Sequence, residues 1–346
     1  MAAPLLAWYD VHKRTLPWRG TKNPYQVWVS EIMLQQTRVA AVLPYYERWM
    51  QELPDVEALA AVEPERLMKL WEGLGYYSRV RNMQKAAKMI LEEYDGKFPQ
   101  ASKELCRLPG IGSYTAGAIA SIAFGEAVPA VDGNVLRVAA RAAGISDDIM
   151  DANTRKMFQK MMEKAVSKER PGEYNQALMD LGATVCVPSG APDCEQCPLA
   201  ALCEAKRLNL QNSLPVRTKK AKRRVEELTL FLLLRENQIA VRKRPEEGLL
   251  AGLWEFPHVP GTLDEKAAAQ TLRNWGIMPL EWREKITGKH IFTHVEWYMT
   301  GYLLTARGDG ENFLWAGDGT LQSLAVPSAF GKFLQHALRQ IAAAEG

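Results

Sequence analysis

The sequence predicts a multidomain chain: an all-α domain over residues 1–207, a basic linker over 208–226, and an α+β domain over 227–346. Three observations predict it. Apolar residues recur three and four apart through the first part and almost nowhere alternate with period two. Residues 205–226 are poor in apolar side chains after Leu214 and carry Arg217, Lys219, Lys220, Lys222, Arg223 and Arg224. Beyond them, short apolar β-type runs appear among helical ones. With 346 residues, 47% of them hydrophobic, the chain can fill two cores.

The helical periodicity is clearest over 25–42, 57–70, 80–93 and 154–166. Leu53-Pro54-Asp55, Asp95-Gly96 and Phe98-Pro99 punctuate these runs. In the last part, 228–234, 239–242, 291–298 and 302–305 read as strands, and 267–275 and 329–344 as helices. The basic run reads as a solvated linker, with contact to phosphates as the sharper alternative.

The formal net charge is only +3, so neither strong polyanion nor polycation behaviour is implied. The longest apolar run, 228–234, falls far short of the roughly 20 residues a membrane span needs. The start, MAAPLLAWYD, lacks the pattern of a secretory signal. Of five cysteines, four lie within 186–203, which suits a bound metal in a reducing compartment better than disulfides. A protein of the cytoplasm is therefore expected.

Residues 108–120 read LPGIGSYTAGAIA. Gly110 and Gly112 permit positive φ and close backbone approach. A helix starting near Ser113 then aims unpaired N–H groups and its positive dipole end outward, a geometry that suits a phosphate. An ordinary packing corner between helices is the plainer reading. Glu31, in WVSEIMLQQ, has Val27, Trp28, Leu34 and Gln35 as helical neighbours. An acid so placed is desolvated, its pKa rises, and it keeps a proton near neutrality. Asp132 precedes a helical run from Val135, so it is expected to cap that helix and to stay ionised, its pKa depressed by backbone bonds and the dipole. A protonated buried acid beside an ionised one suits glycosidic bond cleavage.

LPGIGSYTAGAI followed by VPAVDGNVLRV resembles the helix-hairpin-helix DNA glycosylase superfamily. PWR at 17–19, WVSEIMLQQT at 28–37, WEGLGYYSRVRN at 71–82, NQALMDLGATVC at 175–186 and the cysteine cluster make the match closer to MutY-type adenine DNA glycosylases. The resemblance implies that Glu31 protonates adenine at N7 and then activates water. It implies that Asp132 stabilises the cationic sugar, with Asn134 as its polar support. In related endonuclease III-like lyases a lysine stands where Tyr114 stands here. A phenol forms no imine, so hydrolysis without strand cleavage is expected. Gln176 would hydrogen-bond the adenine. Gln36 and Tyr76 resemble residues that fill the gap left by a flipped base, and Leu34 is expected among the residues that contact the DNA. Gly73 and Gly75 would let the Tyr76 loop approach DNA. Arg14, Trp18 and Arg19 resemble further pocket and backbone contacts.

Cys186, Cys194, Cys197 and Cys203 could hold zinc or a [4Fe–4S] cluster; spacing alone leans slightly to zinc. The family resemblance implies [4Fe–4S] in a structural role. In the family six residues usually fill the first interval; here seven lie between Cys186 and Cys194, while the later intervals of two and five agree. Cys106 lies apart and reads as a buried thiol.

Residues 241–259, VRKRPEEGLLAGLWEFPHV, resemble the Nudix fold. That fold's catalytic helix carries a glutamate cluster for magnesium, whereas the corresponding stretch here reads AAAQTLRNWGI. A recognition module is implied rather than a second enzyme. Adenine is an undamaged base, so the signal for its removal has to come from its partner, 8-oxoguanine. Phe292, Thr293 and His294, in KHIFTHVEW, would contact that partner. The resemblance thus implies a monofunctional glycosylase, acting as a monomer on double-stranded DNA with adenine opposite 8-oxoguanine or guanine. An endonuclease III-like glycosylase/lyase and a non-catalytic damage-binding protein are the alternatives.

Overall fold

The structure, a computed structural model, describes residues 1–218 and 222–345, with side chains through Ala342. Lys219 and Lys220 of the basic run therefore lie outside the described residues. The chain divides into two compact units. The first comprises Met1–Val62 and Arg81–Lys219; the second comprises Glu63–Val80 and Lys220–Gly346.

Among the described residues, twelve α-helices precede the first strand. They are α1 (Ala2–His12), α2 (Pro24–Met33), α3 (Val39–Glu52), α4 (Val56–Ala61), α5 (Pro64–Leu70), α6 (Ser78–Glu93), α7 (Ser102–Leu105), α8 (Ser113–Ala123), α9 (Gly133–Ala143), α10 (Ala152–Ala165), α11 (Pro171–Thr184) and α12 (Glu204–Arg207). The single helix expected over 25–42 is two. α2 begins with Pro24 in its first turn and Asn23 as cap, accepting from the Tyr25 amide at 2.9 Å. It stops at Met33, and Gln36 takes a left-handed φ of 60° that no right-handed helix continues through. Likewise 57–70 splits into α4 and α5 because Pro64 disfavours helical geometry at Glu63.

The first unit buries Trp28 and Trp49, with Leu5, Tyr9, Val138, Phe158, Tyr174 and Leu181 in one cluster shared by α1, α9, α10 and α11. Each large apolar side chain so buried contributes about 1.5–3 kcal/mol before entropy is counted. Cys106 is exposed, not buried as its apolar character suggested, because it follows the one-turn helix α7 at the surface.

The second unit is built on a mixed sheet of β1 (Arg224–Arg235), β2 (Gln238–Lys243), β3 (Trp254–Glu255), β4 (His258–Pro260), β5 (Met278–Ile291), β6 (Val295–Arg307) and β7 (Leu314–Ala316). The main order is β3-β2-β1-β6-β5, with β4 paired to β1 and β7 to β2. β1 and β6 run parallel; the remaining pairs are antiparallel. Leu228, Leu230, Leu232 and Leu234 pack on one face with Phe333, Ala337 and Ile341 of helix α15 (Gly331–Glu345). Phe231 and Leu233 pack on the other with Ala268 and Leu272 of helix α13 (Glu265–Asn274). α14 (Asp318–Ser323) lies between them in sequence. Coverage on both faces explains why 228–234 reads as an apolar run broken only by Thr229, which is itself buried. The strand expected over 291–298 is instead the end of β5, a turn and the start of β6; the Phe292 amide donates to the Val295 carbonyl at 2.8 Å. Segment 63–80 is tied into this unit: Lys69 Nζ donates to the Leu324 carbonyl at 3.0 Å, and Glu72 accepts from the Val326 amide at 3.0 Å.

Candidate active site

A cleft of about 730 Å³ opens in the first unit, lined by Glu31, Gln36, Tyr114, Asp132, Lys156 and Arg217 among others. That volume lies in the range of small-molecule sites. Packing of α2 against α8 buries Glu31, and Tyr114 Oη donates to Glu31 Oε2 in a short hydrogen bond. Burial raises the Glu31 pKa above its ordinary value; the Tyr114 bond and the nearby Arg19 charge oppose this without cancelling it. Burial likewise raises the Tyr114 phenol, so it remains a donor.

Asp132 caps α9, accepting from the Val135 amide at 2.7 Å and from Asn134 Nδ2 at 2.8 Å. The expectation of a depressed pKa fails. Burial outweighs the hydrogen bonds from Val135 and Asn134 and the Arg137 charge, and the carboxyl is raised. Asp132 still holds more stabilising partners than Glu31, which accepts from Tyr114 alone among the hydrogen bonds that act on its pKa.

Asn134 does more than face Asp132. Its Oδ1 accepts from Arg137 Nη2 at 2.8 Å, and Arg137 also donates to the Gly182 carbonyl at 2.6 Å and the Cys186 carbonyl at 2.8 Å. A hydrogen-bonded chain thus runs from the capping aspartate to the first cysteine of the cluster. Gly182 permits it: a Cβ there would lie 2.7 Å from Asn134 Cβ.

Arg14 and Arg19 both turn inward to Asp180 on α11. Arg14 Nη2 lies 2.7 Å and Arg19 Nη2 2.8 Å from Asp180 Oδ1, and the Asp180 side chain is fully buried. Tyr9 Oη donates to Gln176 Oε1 at 2.7 Å, which occupies the carbonyl end of that amide. Asp180→Ala would leave two guanidinium groups around a void. We expect a loss of about 3–5 kcal/mol in urea unfolding; a loss below 1 kcal/mol would show that the arginines find water instead.

Other expected site residues take different places. Leu34 and Gln36 line the cleft. Trp18 is core, edge-on to Tyr46 at 5.1 Å, and presents no free face. Gly110 has φ 77° and lies against Asn82, where a Cβ would come within 2.7 Å. Gly112, in contrast, is extended at φ −89° and serves as N-cap of α8. Tyr76 belongs to the second unit, at φ 46° and 46% exposed, its hydroxyl 2.5 Å from Thr293 Oγ1. Thr293 and its neighbours form the β5–β6 turn. Phe292 packs on Trp297 at 4.8 Å and on His290 at 4.5 Å, Arg223 Nε donates to the Phe292 carbonyl at 3.0 Å, and His294 is exposed.

Cys186, Cys194, Cys197 and Cys203 line one cavity, together with Arg141 and Lys206. Arg141 Nη1 lies 3.2 Å from Cys186 Sγ. Among the described residues no three His, Cys, Asp or Glu side chains are grouped as a metal ion requires. Among the described residues, no helix is long and apolar enough to cross a membrane.

Sequence reading alone missed Tyr9, Arg137, Asp180 and the place of Arg217 at the cleft. Two of them had a local signal. Asp180 follows Gln176 by four residues and Arg137 follows Asn134 by three, so each shares a helix face with a residue already singled out.

Residues 29–167 match the HhH-GPD superfamily of base excision DNA repair proteins, and residues 229–336 match the NUDIX domain. The chain is 44% identical over 310 residues to the adenine DNA glycosylase of Arabidopsis thaliana, covering 78% of this chain and 49% of that one. It is 38% identical to that of Homo sapiens, covering 88% and 66%. It is 31% identical to that of Schizosaccharomyces pombe, covering 93% and 86%. The chain thus spans about half of the plant relative and about two thirds of the human one. Among solved structures, a thermostable thymine-DNA glycosylase superposes with TM-score 0.54 at 26% identity, covering 60% of this chain and 95% of that one. A non-covalent endonuclease III–DNA complex gives 0.51 at 26% identity, with the same coverage.

Proposed function

The chain belongs to the adenine DNA glycosylase family, with an HhH-GPD helical domain and a Nudix-like domain, and from that premise we propose that it hydrolyses the N-glycosidic bond of adenine mispaired with 8-oxoguanine or guanine in duplex DNA. The observation that carries this reading is the pairing of Glu31, buried and bonded to Tyr114, with Asp132 in one cleft. An extruded adenine meets the raised-pKa Glu31 carboxyl, which protonates N7 and makes the base a neutral leaving group. The deoxyribose left behind is electron-poor. Asp132, fixed by Val135 and Asn134, places negative charge against it without moving. Glu31, now ionised, takes a proton from the attacking water. Tyr114 cannot replace that water by forming an imine, so the strand stays intact.

The Nudix-like domain would read the partner base through Phe292, Thr293 and His294. Support comes from the chemistry: adenine itself carries no lesion. The four cysteines line one cavity flanked by the cations Arg141 and Lys206, a donor set and charge that suit a [4Fe–4S] group of net negative charge. When bound, the group would supply a rigid crosslink at the end of the helical domain and no step of bond cleavage. The protein is read as a monomer working on DNA in the cytoplasm.

The experiment is single-turnover release of free adenine from a duplex with adenine opposite 8-oxoguanine, with borohydride added in a parallel reaction. Free adenine and no trapped adduct are expected. A stoichiometric covalent adduct would favour the lyase reading, and no release would favour a binding protein.

The rate should follow a bell in pH. Because burial raises Glu31, the alkaline limb lies above the ordinary glutamate range near 4.3. Because Asp132 is also raised, its charge is lost on acidification above the ordinary range near 3.9. Asn134→Ala removes a bond to the charged form of Asp132, so the acid limb should move to higher pH while the alkaline limb stays. A shift of both limbs, or of neither, would contradict the assignment.

A further inference from the structure

We propose that one face of α10 is a track for the DNA backbone leading out of the cleft, an inference that rests on the glycosylase reading above. Lys156, Lys160 and Lys164 are four residues apart, so they stand one above another, and all three are exposed. They line one shallow groove with Asn153, Met157 and Met161. Lys156 also lines the cleft that holds Glu31 and Asp132, so groove and cleft adjoin at that side chain. Arg155 and Arg217 extend the positive charge at the cleft mouth. The linker that carries Arg217 is pinned there: the Ile149 amide donates to the Val216 carbonyl at 3.1 Å, and Asp148 accepts from the Thr218 amide at 3.1 Å.

Among the described residues, none of the three lysines pairs with a carboxylate. Glu163, the acid beside them on the helix, accepts from Gln159 at 3.3 Å. Eight residues of helix span about 12 Å, the length of three to four nucleotides of one strand at about 3.4 Å each. A row of separated ammonium groups with no aromatic platform suits phosphates and carries no base readout. Adjacency to the cleft at Lys156 favours DNA over an acidic protein or an anionic membrane, since the strand that delivers the flipped nucleotide has to pass the cleft mouth.

Lys160 and Lys164 lie outside the cleft lining, so Lys160→Gln/Lys164→Gln tests the track without touching the chemistry. Affinity for a duplex with an uncleavable adenine analogue would be measured by anisotropy from 50 to 200 mM salt, with the full chain. The slope of log K against log salt should become shallower by roughly 1.8, or about 0.9 for each phosphate no longer neutralised. The wild type would then lose about tenfold more affinity over that fourfold salt range than the variant. The change should be equal for mispaired and fully paired DNA, and Lys160→Arg/Lys164→Arg should restore the slope. Single-turnover release at saturating enzyme and the melting curve should match wild type. An unchanged slope would overturn the track, as would loss of affinity for anionic vesicles or an acidic peptide with DNA binding intact. Failure of the glycosylase reading would appear separately, as wild type that binds DNA with this slope and releases no adenine.

Discussion

Glu31→Gln is expected to slow single-turnover adenine release by roughly a hundred- to ten-thousand-fold, with duplex affinity and melting temperature close to wild type. Glutamine keeps the shape and an acceptor for the Tyr114 hydroxyl, so the packing of α2 on α8 survives. What is lost is the proton. Glutamine cannot donate one to N7, nor take one back from water. The raised pKa of Glu31 has no structural purpose: a neutral amide at that buried place would serve packing equally well, and the acid form costs stability wherever it ionises. A drop of less than tenfold would therefore place the general acid elsewhere, with Tyr114 the next donor in reach.

Asp132→Asn separates two roles of one side chain. Asparagine caps helices about as well as aspartate, so α9 and the melting curve should be unchanged. The negative charge facing the sugar disappears, and the rate should fall on the order of 10²–10³, the size seen when a single preorganised electrostatic partner is removed. Asp132→Ala should lose both, adding about 1 kcal/mol of destabilisation from the missing cap. If the asparagine variant kept the wild-type rate, Asp132 would be a helix cap and nothing more.

The sequence made the helical half readable because its periodicity is strong, and it made the Glu31 environment readable because Val27, Trp28 and Leu34 are its neighbours on any helix. It did not show where α2 ends. That depends on Gln36 adopting positive φ, which no propensity favours. Nor did it show that Asp132 is raised rather than depressed. Local capping bonds are visible in a sequence, but the burial that outweighs them arises from the tertiary fold around the cleft. Arg14 and Arg19 read as surface cations for DNA because their partner, Asp180, lies more than 160 residues away. The apolar run 228–234 was legible as a strand, whereas the turn at Phe292–His294 was hidden inside a run with continuous β-type composition. Tyr76 lies in a loop of the all-α half by sequence, yet belongs to the second unit, where it hydrogen-bonds Thr293.

The mechanism stands on burial holding a proton on Glu31 to higher pH than an ordinary glutamate would. Carboxyl-stretch difference spectroscopy, wild type minus Glu31→Gln, followed across pH, reads that proton directly. A protonated carboxyl band is expected, present only in wild type, that persists well above the ordinary glutamate range near 4.3. A band that vanishes at or below that range would mean an ionised Glu31 in the resting enzyme, and the mechanism would be wrong.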